Sequence, residues 1–357
     1  MRNKLTTIVS KGLTVLGLAG TISSNSACVI TFQSPLNLEA RLVENQPQSN
    51  PDIDRRYNTT AHRFLDLENE LGANDDDYKA LDDVIDKAKE AIKELKLKQP
   101  VDDYGSSEAL EALKILQTID DTLRREDFSY KLNTLLNKGL KTREIDCDNL
   151  SVIYLAIGEE LNLPLKIVLA PKHAFIRWNF KKGFLNWETT FGSIVPNEYY
   201  VSQLTISEQA INNGLYLKSL DKDQVLAVQY VNVGSAWLDK KDYEKAAQYF
   251  NEAIALNPKL APAYVNLGNA WYLTGSLEKA IQKYDLAIGF DSNCLEAYAN
   301  KWIALTMLGR FTDINYVMDK ANKLGIDNIP YLNRFLERLE KGEIILRPVG
   351  IDWPSVL

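Results

Sequence analysis

The chain has 357 residues, of which 45% are hydrophobic and 25% charged, a composition typical of a globular protein of about two domains. Its formal net charge is −7, so we expect no nucleic acid among its main partners. Its three cysteines and two histidines are too few and too scattered for a disulfide framework or a zinc site.

The first 27 residues have the pattern of a bacterial export signal. Basic residues precede an apolar stretch at 12–22, and a small, polar segment follows as a cleavage region. Cys28 would become the new N-terminal residue and a site for lipid attachment. Asn25 departs from the aliphatic residue usual before a lipidated cysteine, so a membrane-anchored lipoprotein and a simply secreted periplasmic protein remain alternatives. A cytoplasmic start is a third, less favoured interpretation.

A polar segment and a set of helical patterns lead to the middle of the chain. Residues 37–58 are polar, and we expect 28–58 to form a flexible tether. The spacing of apolar residues predicts helices over 60–71, 82–97, 106–123 and 128–140. The acidic stretch at 72–77 lacks the glycine and glutamate of a calcium loop and is predicted to be a solvated turn. His62 is interpreted as a surface or packing residue.

The segment 145–192 holds the residues from which we infer chemistry. Cys147 follows Asp146, a candidate N-cap, and begins an apolar run with helical spacing that should end before Pro164. The sulfur would then lie in the first turn of a helix. Free N–H groups and the helix dipole favour the thiolate there, and the same N–H groups could donate to an oxyanion.

Strand patterns follow this helix. They cover 165–169, 173–180 and 184–190, and a Lys-Lys-Gly turn joins the last two. His173 begins one strand and Glu188 lies on its partner, so the two side chains can be cross-strand neighbours. The carboxylate would orient the imidazole, whose other nitrogen would face Cys147. A thiol, an imidazole and a carboxylate are the parts of an activated cysteine nucleophile, although each residue alone is more often structural.

Three motifs in this segment resemble those of the transglutaminase-like, papain-related cysteine superfamily, in its bacterial branch. They are D-C-D-N-L-S-x-x-Y-L-A, P-K-H-A-F-I-R-W and N-W-E-T-T-F-G. The resemblance implies an α+β, papain-like core of a helix and a small antiparallel sheet, which we place with its N-terminal helices at 59–205. It also implies that Cys147 is the nucleophile, His173 the base and Glu188 the orienting acid. The sequence suggests no metal and no organic cofactor.

An internal repeat occupies the second half of the chain. Seven residues recur 34 positions later: Tyr230, Val233, Gly234, Trp237, Ala246, Phe250 and Ala253 as Tyr264, Leu267, Gly268, Trp271, Ala280, Tyr284 and Ala287. The pattern resembles tetratricopeptide repeats, paired helices in which glycine and alanine permit close approach. The predicted array spans 206–342, with units at 227–260 and 261–294, a degenerate unit at 295–328, a capping helix, and a tail at 343–357.

Two hypotheses on function follow. In the first, Cys147 attacks an amide carbonyl and forms a thioester, which water or a second amine resolves; the resemblance favours hydrolysis over acyl transfer. In the second, the cysteine domain is an inactive scaffold and the repeats bind a protein or peptide partner. The repeats could equally buttress the catalytic domain. Pairing of Cys147 with Cys28 or Cys294 after export would block the chemistry. The substrate-selecting loops at 192–204 match no motif.

Overall fold

The computed structural model describes residues 55–95, 107–131 and 135–324. Within these ranges the chain forms thirteen α-helices and six β-strands. The predicted export signal, most of the tether, the capping helix and the tail lie outside the described residues. The predicted α+β architecture is confirmed, since a small sheet and its helices are followed by helical repeats.

Four helices precede the predicted nucleophile. They are α1 (Thr60–Glu68), α2 (Asp75–Glu94), α3 (Ser107–Arg125) and α4 (Leu136–Thr142). The acidic stretch predicted as a turn begins α2 instead, because the Asn74 side chain accepts from the Asp76 N–H and Asp77 accepts from the Asn74 N–H. His62 is fully buried, and its Nε2 lies 3.0 Å from a carboxylate oxygen of Asp82, so it packs inside the front helices.

The prediction of a helix over 128–140 is wrong for the first part of that range. That part forms the strand β1 (Ser129–Tyr130), which pairs in parallel with β2 (Glu144–Ile145). The Ser129 N–H donates to the Arg143 carbonyl at 2.8 Å, a bond between segments that local periodicity cannot reveal. In this register Tyr130 lies opposite Ile145, two residues before the predicted nucleophile.

A helix packed on a four-stranded antiparallel sheet forms the core of the cysteine domain. The elements are α5 (Cys147–Glu160), β3 (Leu165–Ala170), β4 (His173–Asn179), β5 (Phe184–Glu188) and β6 (Ser193–Ile194), with the strands in the order β3-β4-β5-β6. The helix ends before Pro164, and the three predicted strands are confirmed. Trp178 and Trp187 are each 1% exposed and belong to the core.

The segment at 192–204, expected to consist of loops, contains β6 and a further helix. This helix is α6 (Asn197–Leu204). Its Tyr200 is buried, and the ring stacks on Phe175 of β4 with centroids 4.2 Å apart. The stacking fixes α6 against the sheet, beside the end of β5 that carries Glu188.

The repeat array follows a short helix, α7 (Glu208–Asn212). Its helices are α8 (Lys222–Asp239), α9 (Tyr243–Leu256), α10 (Ala261–Leu273), α11 (Leu277–Phe290), α12 (Leu295–Met307) and α13 (Phe311–Lys323). The repeated glycines serve close packing, as predicted: a Cβ at Gly234 would lie 2.6 Å from the Phe250 ring, and one at Gly268 would overlap the ring of Tyr284. Helix α8 also packs against α1 of the cysteine domain. None of the helices described in the structure is both long and apolar enough to span a bilayer.

Candidate active site

Cys147 is the first residue of α5 and is only 1% exposed. Asp146 caps the helix, because its Oδ1 accepts from the backbone N–H of Asn149 at 3.2 Å and from its side-chain amide at 2.8 Å. The predicted position of the sulfur in the first turn is therefore confirmed. The backbone N–H of Ala174 on β4 donates to the sulfur, so the thiol lies beside the residue that follows His173.

His173 and Glu188 meet across β4 and β5, as predicted. The imidazole Nε2 lies 2.6 Å from Glu188 Oε2. The same carboxylate oxygen accepts from the Tyr200 hydroxyl at 2.8 Å, and Oε1 accepts from the Thr190 hydroxyl and N–H at 2.7 and 3.0 Å. Burial alone would raise the pKa of Glu188, but His173 and the Thr190 donors hold it below its ordinary value.

The contact with Glu188 also determines which nitrogen of His173 is free. An ionised carboxylate at Nε2 favours the tautomer that carries its proton there, and this leaves the Nδ1 lone pair as a base. The imidazole is 19% exposed, whereas the Glu188 side chain is 2% exposed. The ring is thus held from its buried side and remains accessible on the other.

The expectation that Cys147 favours the thiolate is wrong. Burial raises the pKa of the Cys147 thiol well above its ordinary value, and the charges of Asp148 and Asp146 raise it further. A helix N-terminus stabilises an anion by only about 0.3–1 kcal/mol, whereas full burial shifts a pKa by up to about 3–5 units. The desolvation and the two carboxylates therefore outweigh the dipole, and the resting thiol is protonated.

The two aspartates that flank the thiol form a coupled pair that sequence reasoning missed. Both are buried. Burial raises the pKa of Asp146 well above its ordinary value, as do the charge of Asp148 and a hydrogen bond between the two carboxyl groups. The protonated form of Asp146 is therefore favoured beside the Asp148 carboxyl group. The D-C-D motif shows this pair in the sequence, but not its burial.

Tyr130 is a second residue that sequence reasoning missed. Burial raises the pKa of its phenol to about 12, and the charges of Cys147, Asp146, Asp148 and Glu188 also raise it. Its side chain is nevertheless half exposed. Tyr130 thus lies at the solvent side of the site, where the pairing of β1 with β2 places it, and the predicted helix over this segment concealed that position.

The remaining expectations concern other thiols and metals. Cys147 and Cys294 are both free, and Cys294 lies at the start of α12 in the array, while Cys28 lies outside the described residues. In the described part of the chain, no cluster of three or more His, Cys, Asp or Glu residues is arranged to bind a metal ion.

Comparison with known proteins assigns the two halves of the chain. The family model of the transglutaminase-like superfamily matches residues 75–231, and that of the tetratricopeptide repeat matches residues 227–260. No curated protein matches the chain. Among solved structures, the TPR domain of Arabidopsis OM64 is 25% identical over 34% of this chain and 98% of that chain, with a TM-score of 0.31. The chain thus matches a transglutaminase-like domain followed by a tetratricopeptide repeat, and the two matches overlap at residues 227–231 in α8.

Proposed function

We propose that this chain is a cysteine-nucleophile amide hydrolase or acyltransferase in which Cys147, His173 and Glu188 act as a triad. The observation that carries the proposal is the 2.6 Å contact between His173 and Glu188, made next to a buried thiol at the start of α5. Glu188 is held by Tyr200 and Thr190, so the orientation of the imidazole is fixed by packing as well as by charge.

The protonation states define the order of events. The resting thiol is neutral, so His173 takes its proton through Nδ1 as the sulfur attacks the amide carbonyl. A C–S bond forms, and the carbonyl oxygen becomes an oxyanion. The imidazolium, stabilised by Glu188, then protonates the leaving amine as the C–N bond breaks, which leaves a thioester on Cys147. Water releases the acid, or a second amine forms a new amide.

Two groups are candidates for stabilising the oxyanion. The backbone N–H groups in the first turn of α5 point away from the helix, as in any N-terminal turn. The Tyr130 phenol faces the same site from the solvent side and stays protonated at neutral pH, since its pKa is about 12. A phenol in that position donates a hydrogen bond to charge that develops on the substrate.

The alternative function is a non-catalytic scaffold whose repeats bind a protein or peptide partner. The observation that favours it is the buried, protonated state of Cys147, which is also the state of an inert structural cysteine. The match to a tetratricopeptide repeat supports protein binding under either function.

A screen of peptide amides against the full chain tests the proposal. We expect the wild type to hydrolyse or transfer at least one class of amide and to accumulate a Cys147 acyl adduct detectable by mass spectrometry. A Cys147→Ser variant should lose both signals, whereas a Cys294→Ser variant should keep them. Partner binding that persists in Cys147→Ser, together with no Cys147-dependent turnover or adduct across the screen, would support the scaffold function.

Export and lipidation at Cys28 form a separate proposal, supported by the basic, apolar and small-residue order of the first 27 residues. Mass analysis of the mature N-terminus tests it. A terminal Cys28 carrying acyl chains supports a membrane-anchored lipoprotein, an unmodified terminus near Cys28 supports simple secretion, and an intact Met1 contradicts export.

A further inference from the structure

The first repeat helix, α8, reaches two buried carboxylates of the cysteine domain. The Asn232 amide donates to Asp148 Oδ2 at 2.5 Å, and these residues are 1% and 3% exposed. One turn earlier, the Gln229 amide donates to Glu68 at 2.5 Å, and Glu68 also accepts two backbone N–H groups at the start of α4. One face of α8 thus supplies neutral donors to buried carboxyl groups of the cysteine domain.

The position of Asn232 recurs in the repeat. Asn266 and Asn300 stand 34 residues apart at the equivalent positions of α10 and α12. Their side-chain amides donate within the array. The Asn266 amide donates to the Ser235 hydroxyl at 3.2 Å, and the Asn300 amide donates to the side-chain oxygen of Asn269 at 2.8 Å. In later units the asparagine therefore joins neighbouring helices of the array. In the first unit it joins the array to Asp148.

Asp148 directly follows Cys147, and its charge is the largest influence on the thiol after burial. The amide of Asn232 holds this carboxylate in place, because a hydrogen bond to a carboxylate is stronger than one between neutral groups. Without that donor, the Asp148 carboxylate would no longer be held in its position beside Cys147, and its effect on the pKa of the thiol would weaken. The other titratable groups at the site are Glu188 from β5, His173 from β4 and Tyr130 from β1.

We propose that Asn232 is a positioning residue of the cysteine site, through which the first repeat helix holds the charged Asp148 beside Cys147. The inference rests on the proposed function in one respect, that Cys147 is the reacting group. Burial and, after it, the Asp148 carboxylate keep the thiol protonated until His173 removes the proton, so α8 contributes to setting the pH at which Cys147 becomes nucleophilic. The array is then a part of the site.

The test is the pH profile of Cys147 alkylation by iodoacetamide in the full chain, measured on the peptide that contains Cys147. We expect Asn232→Leu to move the midpoint of the profile to lower pH by about one unit, because Asp148 is no longer held beside the sulfur and raises the pKa of the thiol less. Asn266→Leu is the matched control, since it removes an equivalent buried amide one repeat later, and it should leave the midpoint unchanged. Asp148→Asn should shift the midpoint in the same direction, and adding Asn232→Leu to it should cause no further shift.

An Asn232→Leu midpoint equal to that of the wild type would overturn the proposal, as would an equal shift in Asn266→Leu, which would make the effect a general loosening of the array. If Asn232→Leu does not fold, as judged by circular dichroism, Asn232→Ala takes its place with the same two outcomes. The alkylation measurement does not depend on catalytic turnover. An absence of catalysis would therefore contradict the proposed function and leave the role of Asn232 to be decided by the midpoint.

Discussion

The start of α5 in the cysteine domain and the helices α10 and α12 of the array bury different kinds of polar groups. On α10 and α12 the buried polar side chains are the neutral amides of Asn266, Asn269 and Asn300. Around the start of α5 they are ionisable, and they include Asp146, Asp148 and Glu188. A buried amide needs only a hydrogen-bond partner, whereas a buried charge must also be compensated. The array is thus built for packing, and the cysteine domain holds charges in place around a thiol.

Among the substitutions that distinguish the two regions, Glu188→Gln in the cysteine domain is expected to have the largest effect. The amide cannot stabilise an imidazolium and favours the wrong tautomer of His173, so amide hydrolysis should fall by roughly 10⁴-fold. Steady-state rates on any substrate found in the screen provide the measurement. Thr190→Val is the control, because it removes one donor to Glu188 but keeps the carboxylate. It should lower the rate of amide hydrolysis by no more than about tenfold. Equal losses in both variants would contradict a special role for the carboxylate.

The second effect concerns Glu68, where the two regions meet. Burial raises the pKa of Glu68 to about 7, while its donors Asn137, Leu136 and Gln229 oppose the rise. An acid whose pKa is raised on folding binds its proton more tightly in the folded state, so the free energy of unfolding should fall as pH increases from about 4.5 to 7. The shift corresponds to about 3 kcal/mol.

Urea unfolding at several pH values measures this dependence. Glu68→Gln should remove most of the decline, whereas Glu70→Gln, at a side chain 57% exposed, should retain it. A decline of the same size in Glu68→Gln would show that other groups cause it.

The smallest effect is expected in the array, from a glycine substitution. A Cβ at Gly268 would overlap the Tyr284 ring, so Gly268→Ala should lower the free energy of unfolding by about 1–3 kcal/mol. At Gly289 a Cβ would meet no atom within 4 Å, so Gly289→Ala should raise it by about 0.5–1 kcal/mol. Urea unfolding measures both. Equal effects at the two positions would contradict the close helix packing.

The regions also differ in how far the sequence predicts them. In the array each helix packs mainly on its neighbours in the chain. A residue pattern that recurs along the chain, such as Gly234 and Gly268, therefore predicts most of the helix packing from local sequence. In the cysteine domain, α5 and the hairpin that carries His173 were predictable because their patterns are also local.

The rest of the site depends on contacts between distant segments. Tyr130 reaches the site through a parallel pair of two-residue strands, and Asn232 reaches it from the array. The pKa shift of the Cys147 thiol was predicted in the wrong direction because the helix dipole is readable from sequence, whereas burial of the thiol and the position of Asp148 beside it are properties of the folded chain.

The most direct test of the account is the rate of Cys147 alkylation at pH 7 in the wild type and in His173→Gln. Cys294, the other free thiol in the described residues, serves as the internal reference. The account predicts that the wild-type rate rises with pH, since the thiol is protonated at rest, and that His173→Gln lowers the rate at pH 7 by about 100-fold without changing Cys294. A Cys147 rate that is the same in both proteins would contradict the triad.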